Sequence, residues 1–363
     1  MTSPIKGRDT QLLARDFLSS IRKKQNRWIR PVKKQDETIE REKLGEVDWD
    51  IPGHQRILAI PQAKDIVEWS KNLRLIDVKG ARAIWSSLGK ILSRITTQDQ
   101  RNVFLCHKEL PNPLRLTLRQ KIFFLYLILK QDGDFMVPFM RKLPRNKKFL
   151  ATESVNNFSA TWQEVAERLQ SSKEYSDVTE GKRLSWSIDE LKDVSAYERV
   201  KSKLENLVDL DILTRANERN YTYLSNVEKL NKLDKLTSEI EQATGVSSEE
   251  AWISFFENSF FSHAADIFEI EARNATQENV TKRVLEAYSD LVGGLGLCRI
   301  DEICLLAGID GISSSKPVII EQEESRKAIY DLNKKHRKLA SLHVDMLGNV
   351  SYVKIDKSIL DSV

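Results

Sequence analysis

The chain has 363 residues, 40% of them hydrophobic and 30% charged, which is enough for two to four small domains with buried cores. Its strongest apolar run, Ile122–Leu129, falls far short of the roughly 18–20 residues that a membrane-spanning helix needs. The formal net charge is only +4, but residues 1–150 hold 31 Lys and Arg against 16 Asp and Glu, and residues 151–363 hold 26 against 37, so the halves carry +15 and −11. Such asymmetry predicts that one half faces a polyanion, or that the halves attract partners of opposite sign. No apolar core follows the basic residues at the N-terminus, which argues against a secretory signal. The three cysteines, Cys106, Cys298 and Cys304, are odd in number and scattered, and a reducing cytosol is the expected compartment.

Residues 1–45 form a basic arm. Asp9 to Lys24 has helical spacing through Leu12, Leu13, Phe17 and Ile21, Pro31 ends any helix, and Gln35 to Lys43 is charged and solvated. Residues 46–150 form a basic region. There Asp65–Leu73 is expected as a helix, Val78-Lys79-Gly80 as a turn, Ala83-Ile84-Trp85 as the returning segment, and Leu88 onward as another helix. Thr117–Gln131 is an apolar helix expected to stop at Asp132-Gly133-Asp134, with Met136–Leu143 as the next one. Residues 144–160 have the composition of a linker.

Within residues 151–226, Thr161, Ser187 and Ser195 each open a capping-box spacing, which predicts three helix starts. Arg183-Leu184-Ser185-Trp186 alternates as a short strand. Val200, Leu204, Leu207 and Val208 make an apolar stripe, and residues 212–214 and 221–224 flank a polar turn. Residues 227–275 carry an amphipathic helix (Val227, Leu230, Leu233, Leu236, Ile240) and an aromatic helix over 249–271, expected to be core. Residues 276–363 give a helix over 277–292, an extended step at Cys298-Arg299-Ile300, a helix from Asp301 ending at Gly308, a longer helix from Glu321 to Arg337, and a hairpin around Leu347-Gly348-Asn349.

This order of helix, strand, two helices and hairpin, met in 151–226 and again in 276–363 with fainter copies in the helical region 46–150, resembles the winged helix-turn-helix superfamily. The resemblance implies a mainly α fold with small β-hairpin wings, arranged as tandem winged-helix-like domains. It also implies a module used most often against nucleic acid and otherwise against protein.

Three basic clusters are the candidate nucleic-acid contacts. The first is Arg22, Lys23, Lys24, Arg27, Arg30, Lys33 and Lys34, with Trp28 placed to stack on a base. The second is Arg141, Lys142, Arg145, Lys147 and Lys148, which reads alternatively as a basic linker. The third is Lys334, Lys335, Arg337 and Lys338 at the end of the long C-terminal helix. There the helix dipole alone favours cations, and Glu321, Glu323 and Glu324 at the other end would repel phosphate. Asp189, Glu190, Asp193, Glu198, Glu205, Asp209 and Asp211 make the middle unit acidic and point it toward a protein partner, although its wing carries Arg215 and Arg219.

Signals for enzyme chemistry are poor. No phosphate-binding glycine loop is present, and the glycines at 293, 294 and 296 follow a helix rather than a strand. The cysteines lack histidines at zinc spacing, so no metal, cofactor or catalytic residue is expected. The leading expectation is a non-enzymatic, prokaryotic recognition subunit that binds duplex DNA and works with a protein partner. By fold analogy its setting would be replication, partition or anti-phage defence. The alternatives are a protein-interaction scaffold and a dimeric transcription regulator.

Overall fold

The computed structural model describes residues 30–33, 39–43, 73–79, 82–105, 116–171, 194–217, 221–244, 249–293, 296–356 and 358. Within them the chain is mostly helical, with small sheets, and it divides into two compact units. The first comprises the described parts of residues 1–117 and 127–230, and the second those of residues 118–126 and 231–363.

In the first unit, β1 (Arg30–Lys33) pairs antiparallel with β2 (Ile39–Lys43), so part of the segment expected to be solvated is strand. The helix expected over Asp9–Lys24, and all but the last residue of that expected over Asp65–Leu73, lie outside the described residues. β3 (Ile76–Lys79) and β4 (Arg82–Trp85) form the hairpin that the Val78-Lys79-Gly80 turn predicts, with Ile76 opposite Trp85. They lead into α1 (Ser87–Leu105).

The next helical segment, α2 (Leu118–Arg141), breaks at Asp132 where the first helix is expected to stop, so that two helices meet there across a kink. Asp132 leaves helical geometry (φ −142°, ψ 16°), but the helix resumes because Phe135, Met136, Phe139 and Met140 are all buried and carry it onward as a kinked rod. Residues 144–160 are not a linker. They contain β5 (Lys148–Leu150), a 3₁₀ turn (Ala151–Ser154) and the start of α3 (Val155–Gln170). Thr161 does not cap a helix. It lies buried on the inner side of α3 with Phe158 and Val165, and its hydroxyl donates to the Asn157 carbonyl at 2.7 Å. The strand expected at Arg183–Trp186 and the capping box at Ser187 lie outside the described residues.

α4 (Val194–Asp209) buries Val200, Leu204 and Leu207. It is followed by β6 (Leu213–Asn217) and β7 (Thr222–Ser225). The sheet order is β5-β7-β6, with Phe149 opposite Tyr223 on its buried face. A division of the chain at residue 150 therefore falls inside a sheet. α5 (Val227–Thr244) follows, and the Asn226 side chain accepts the Lys229 backbone N–H at its start.

In the second unit the aromatic segment is two helices, α6 (Glu249–Asn258) and α7 (Phe260–Ile267), separated at Ser259. The break has a cause. The buried Glu321 carboxylate accepts the backbone N–H groups of Phe261 (3.0 Å) and Ser262 (2.7 Å) and so caps α7, while the same residue forms a capping box with Glu324. Phe255, Phe256, Phe260 and Phe261 are buried as expected for core, and the Tyr126 ring lies edge-on to Phe256 and Phe260 at 5.1 and 5.2 Å.

Beyond β8 (Arg273–Asn274) come α8 (Gln277–Leu291), β9 (Cys298–Arg299), α9 (Ile300–Ile312), β10 (Val318–Ile319), α10 (Gln322–Lys335), β11 (Ala340–Val344) and β12 (Val350–Ile355). β10 runs parallel to β8, and the three-stranded sheet has the order β11-β12-β9. Tyr288 fastens this sheet to α8. Its hydroxyl accepts from the Ile355 backbone N–H at 3.0 Å and lies 2.6 Å from the Gly296 carbonyl.

α9 is apolar on all sides and almost wholly buried, which makes it the axis of the unit's core. Gly308 does not end it. The helix continues to Ile312, and Gly308 is there because the Phe261 ring packs directly over its Cα, where a Cβ would overlap the ring. We expect Gly308→Ala to destabilise the second unit by about 1–3 kcal/mol, overpacking outweighing the gain in helix propensity. Urea denaturation followed by circular dichroism checks this, and an unchanged or raised midpoint would contradict it.

Candidate nucleic-acid interface

Of the first basic cluster, only Arg30 and Lys33 fall among the described residues, both in β1. Arg22, Lys23, Lys24, Arg27, Trp28 and Lys34 lie outside them.

The second cluster is split by the fold. Leu143 is buried, and the chain then turns through Asn146 in a left-handed conformation (φ 62°) into β5. Arg141, Lys142 and Arg145 are half-buried, and the Lys142 ammonium pairs with Glu164 of α3 at 2.7 Å. Lys147 and Lys148 are exposed. Lys148 stands opposite Leu224 on the outer face of the sheet, beside the part-exposed Leu150. Two of the five candidate bases are thus clearly presented to a ligand.

Among the described residues, the third cluster is more open than the second. Lys334, Lys335, His336, Arg337, Lys338 and Leu339 are all exposed, on the last turn of α10 and the bend into β11. The bend is held by backbone bonds from Leu339 and Ala340 to the His336 carbonyl, and by Asn333, which donates to the Ala340 carbonyl at 2.7 Å. Asp331 approaches Lys334 only to 4.0 Å. At the opposite end of α10, Glu323 and Glu324 are exposed. Arg326, in between, is engaged by Glu257 (2.6 Å), Asp301 (3.1 Å) and Glu323 (3.7 Å). Burial works against its charge, but these carboxylates hold its guanidinium well above its ordinary range. α10 is therefore basic at its C-terminal end and acidic at its start.

The acidic face expected on the middle unit is partly internal. Glu205 and Asp209 are buried. Glu205 accepts the Tyr223 hydroxyl at 2.7 Å and pairs with Arg215, so Arg215 faces inward rather than outward from the β6–β7 hairpin. The Arg215 guanidinium also lies over the Tyr221 ring at 5.5 Å, and the buried Lys201 approaches the same ring at 4.7 Å. Burial opposes the charge on Arg215, but Glu205 holds its pKa above the usual value. Burial, with Glu205 beside it, pushes the Tyr223 hydroxyl far up. Lys203 pairs with Asp132 at the α2 kink, and Arg199 covers Trp162 at 5.6 Å. Asp189, Glu190, Asp193 and Arg219 lie outside the described residues.

One feature of the second unit goes beyond the expectations from sequence. The turn between β11 and β12 is built around Asp345, whose carboxylate accepts the backbone N–H groups of Leu347 (2.8 Å) and Asn349 (3.0 Å) and the Ser351 hydroxyl (2.9 Å). These bonds hold the Asp345 carboxyl below the usual carboxylate range. Gly348 supplies the positive φ (+85°) that closes the turn. On this ordered turn Met346 and Leu347 are 105% and 86% exposed, flanked by the exposed Val344 and Val350. The turn chemistry is readable in the sequence, but the presentation of apolar side chains to solvent is not.

Cys298 and Cys304 are buried free thiols, and burial pushes the Cys304 thiol well above its usual range. Among the described residues, no group of three or more His, Cys, Asp or Glu side chains is placed to hold a metal ion, and no helix is long and apolar enough to cross a membrane. No family model matches the chain, and neither a curated protein nor a solved structure matches it.

Proposed function

We propose that the protein is a non-enzymatic nucleic-acid-binding recognition subunit, built from tandem winged-helix-like units, that binds duplex DNA and acts with a protein partner. In the second unit the order α8-β9-α9-β10-α10-β11-β12, with β9 paired to β12, supports the winged-helix reading, and in the first unit the described elements α3, α4, β6 and β7, with β5 rather than the strand expected at 183–186 paired to β7, have the same sense. The observation that carries the binding proposal is the continuous exposed basic run from Lys334 to Lys338, at a helix end adjoining a hairpin wing. The exposed Lys147 and Lys148 beside the wing sheet of the first unit, and the +15 charge of residues 1–150, have the same sense.

The test is fluorescence-anisotropy binding of the full-length chain to duplex DNA, single-stranded DNA and RNA across a salt series. Duplex affinity whose logarithm falls steeply with log salt is expected, because each neutralised phosphate releases counterions. Charge reversal at Lys334, Lys335, Arg337 and Lys338 should flatten that slope by roughly 0.9 for each phosphate no longer neutralised. Absence of binding to any nucleic acid would overturn the proposal in favour of a protein scaffold.

A further inference from the structure

We infer that the β11–β12 turn is an apolar wedge for duplex nucleic acid, with Met346 and Leu347 entering at a base step while Lys334, Lys335, Arg337 and Lys338 engage the flanking phosphates. The inference rests on the nucleic-acid reading above and adds the way in which the second unit meets the duplex.

The turn is the densest exposed apolar feature among the described residues. Met346 and Leu347 sit in the turn and Val344 and Val350 on the strand ends that flank it, and all four contribute little to the core. Exposed large side chains so concentrated on an otherwise polar surface mark a contact site. The loop is also rigid. Three bonds to the Asp345 carboxylate and the backbone bonds between Asp345 and Asn349 fix it before any ligand arrives, so little conformational freedom is lost on insertion. The acidic group at the tip, Asp345, is satisfied by its own turn.

Charge selects the occupant. β11 begins two residues after Lys338 and ends at Val344, so the basic run and the apolar tip stand at opposite ends of one short strand. At about 3.3 Å per residue the eight residues from Lys338 to Met346 reach up to roughly 26 Å, enough to cross a groove of duplex DNA, about 12 Å wide for the major groove. A tip among the bases therefore leaves the run against the backbone. Lys354 is exposed on β12 and Arg299 is exposed on β9, so the same sheet adds two further cations. The opposite arrangement, with α10 laid along the major groove, would bring the exposed Glu323 and Glu324 against phosphate and find Arg326 already paired. Apolar side chains inserted between base steps, with cations on the flanking backbone, are a known solution to binding a bent duplex.

The experiment uses the full-length protein and a duplex carrying 2-aminopurine, whose fluorescence rises when its base unstacks. Wild-type protein should raise the fluorescence on binding. Met346→Ser/Leu347→Ser keeps Asp345 and Gly348, so the turn survives, and circular dichroism checks the fold. This variant should lose the fluorescence rise and bind roughly tenfold more weakly, with the salt slope unchanged because the phosphate contacts remain. If the variant binds as tightly as wild type with the same fluorescence rise, the wedge is wrong while duplex binding stands. If wild type binds no nucleic acid, the functional reading itself fails and the wedge with it. Two further arms run in parallel, vesicles containing phosphatidylserine and light scattering for self-association. Loss of either interaction in the variant, with duplex binding intact, would also overturn the wedge.

Discussion

Replacing Glu205 with Ala should destabilise the first unit by about 3–5 kcal/mol, the cost of stranding a buried charge whose partner has been removed. Glu205 is fully buried on α4, and two groups depend on it. The Tyr223 hydroxyl donates to one of its oxygens at 2.7 Å, and the Arg215 guanidinium, with its side chain only 12% exposed, pairs with the other. Neither loss can be repaired by water without opening the packing between α4 and the β6–β7 hairpin. Glu205→Gln separates the two terms, because the amide oxygen can still accept from Tyr223 while the charge on Arg215 is left alone. Tyr223→Phe removes one hydrogen bond and should cost only about 1 kcal/mol. The triple replacement Glu205→Leu/Arg215→Met/Tyr223→Phe should recover most of the loss, since apolar groups of similar volume need no desolvation and no buried hydroxyl is left without an acceptor. Amide hydrogen exchange of peptides covering α4 and β7 reads the effect in the unit concerned. A cost for Glu205→Ala no larger than that for Tyr223→Phe would show that Arg215 does not depend on the carboxylate. On the proposed nucleic-acid reading, the same geometry predicts that Arg215→Ala leaves the salt slope of binding unchanged, in contrast to reversal of Lys334 or Lys335.

Arg215 illustrates how much of this protein can be read from its sequence. Long periodic helices such as α8 and α10 and the hairpin at Leu347-Gly348-Asn349 follow from spacing and turn chemistry, because their signals are local. Strand β5 does not. It has three residues, one of them buried, it follows a cluster of lysines, and its pairing partner β7 is far along the chain. Thr161 and Glu164 have the spacing of a capping box, but the buried stripe of Phe158, Thr161 and Val165 outweighs that local preference, and the helix begins at Val155. Gly308 has the look of a helix terminator and is instead packed against Phe261, a residue of another helix. The basic clusters are legible as composition. Which cations are engaged by the fold is not, since that depends on remote acids: Glu164 for Lys142 within the second cluster, and, outside the clusters, Glu257 and Asp301 for Arg326.

The second large effect is expected at Asp310 and has a pH signature. The Asp310 carboxylate on α9 pairs with Arg119 near the start of α2, with side chains 16% and 13% exposed. Burial pushes the Asp310 carboxyl up to about 6 even though Arg119 opposes the rise, with Asp290 adding to it and Arg283 opposing it. Desolvation here outweighs what one guanidinium returns. Because the folded value lies above the unfolded one, near 3.8, the folded state binds the proton more tightly. The contribution to stability is thus fully present below about pH 4 and is lost as pH rises through about 6. At about 1.4 kcal/mol for each tenfold change in proton affinity, the window is worth roughly 3 kcal/mol. Asp310→Asn abolishes the titration, so the stability difference between wild type and this variant should move against wild type from pH 4 to pH 7 and be level on either side. Arg119→Met should cost about 3–5 kcal/mol at pH 7.5, where it leaves a buried carboxylate alone, and markedly less at pH 5, where Asp310 can take up a proton. Hydrogen exchange of the peptide spanning Ile300–Ile312 at several pH values measures both variants in the same unit. A cost for Arg119→Met that does not change between pH 5 and pH 7.5 would show that Asp310 titrates at its ordinary value and that burial does not govern the pair.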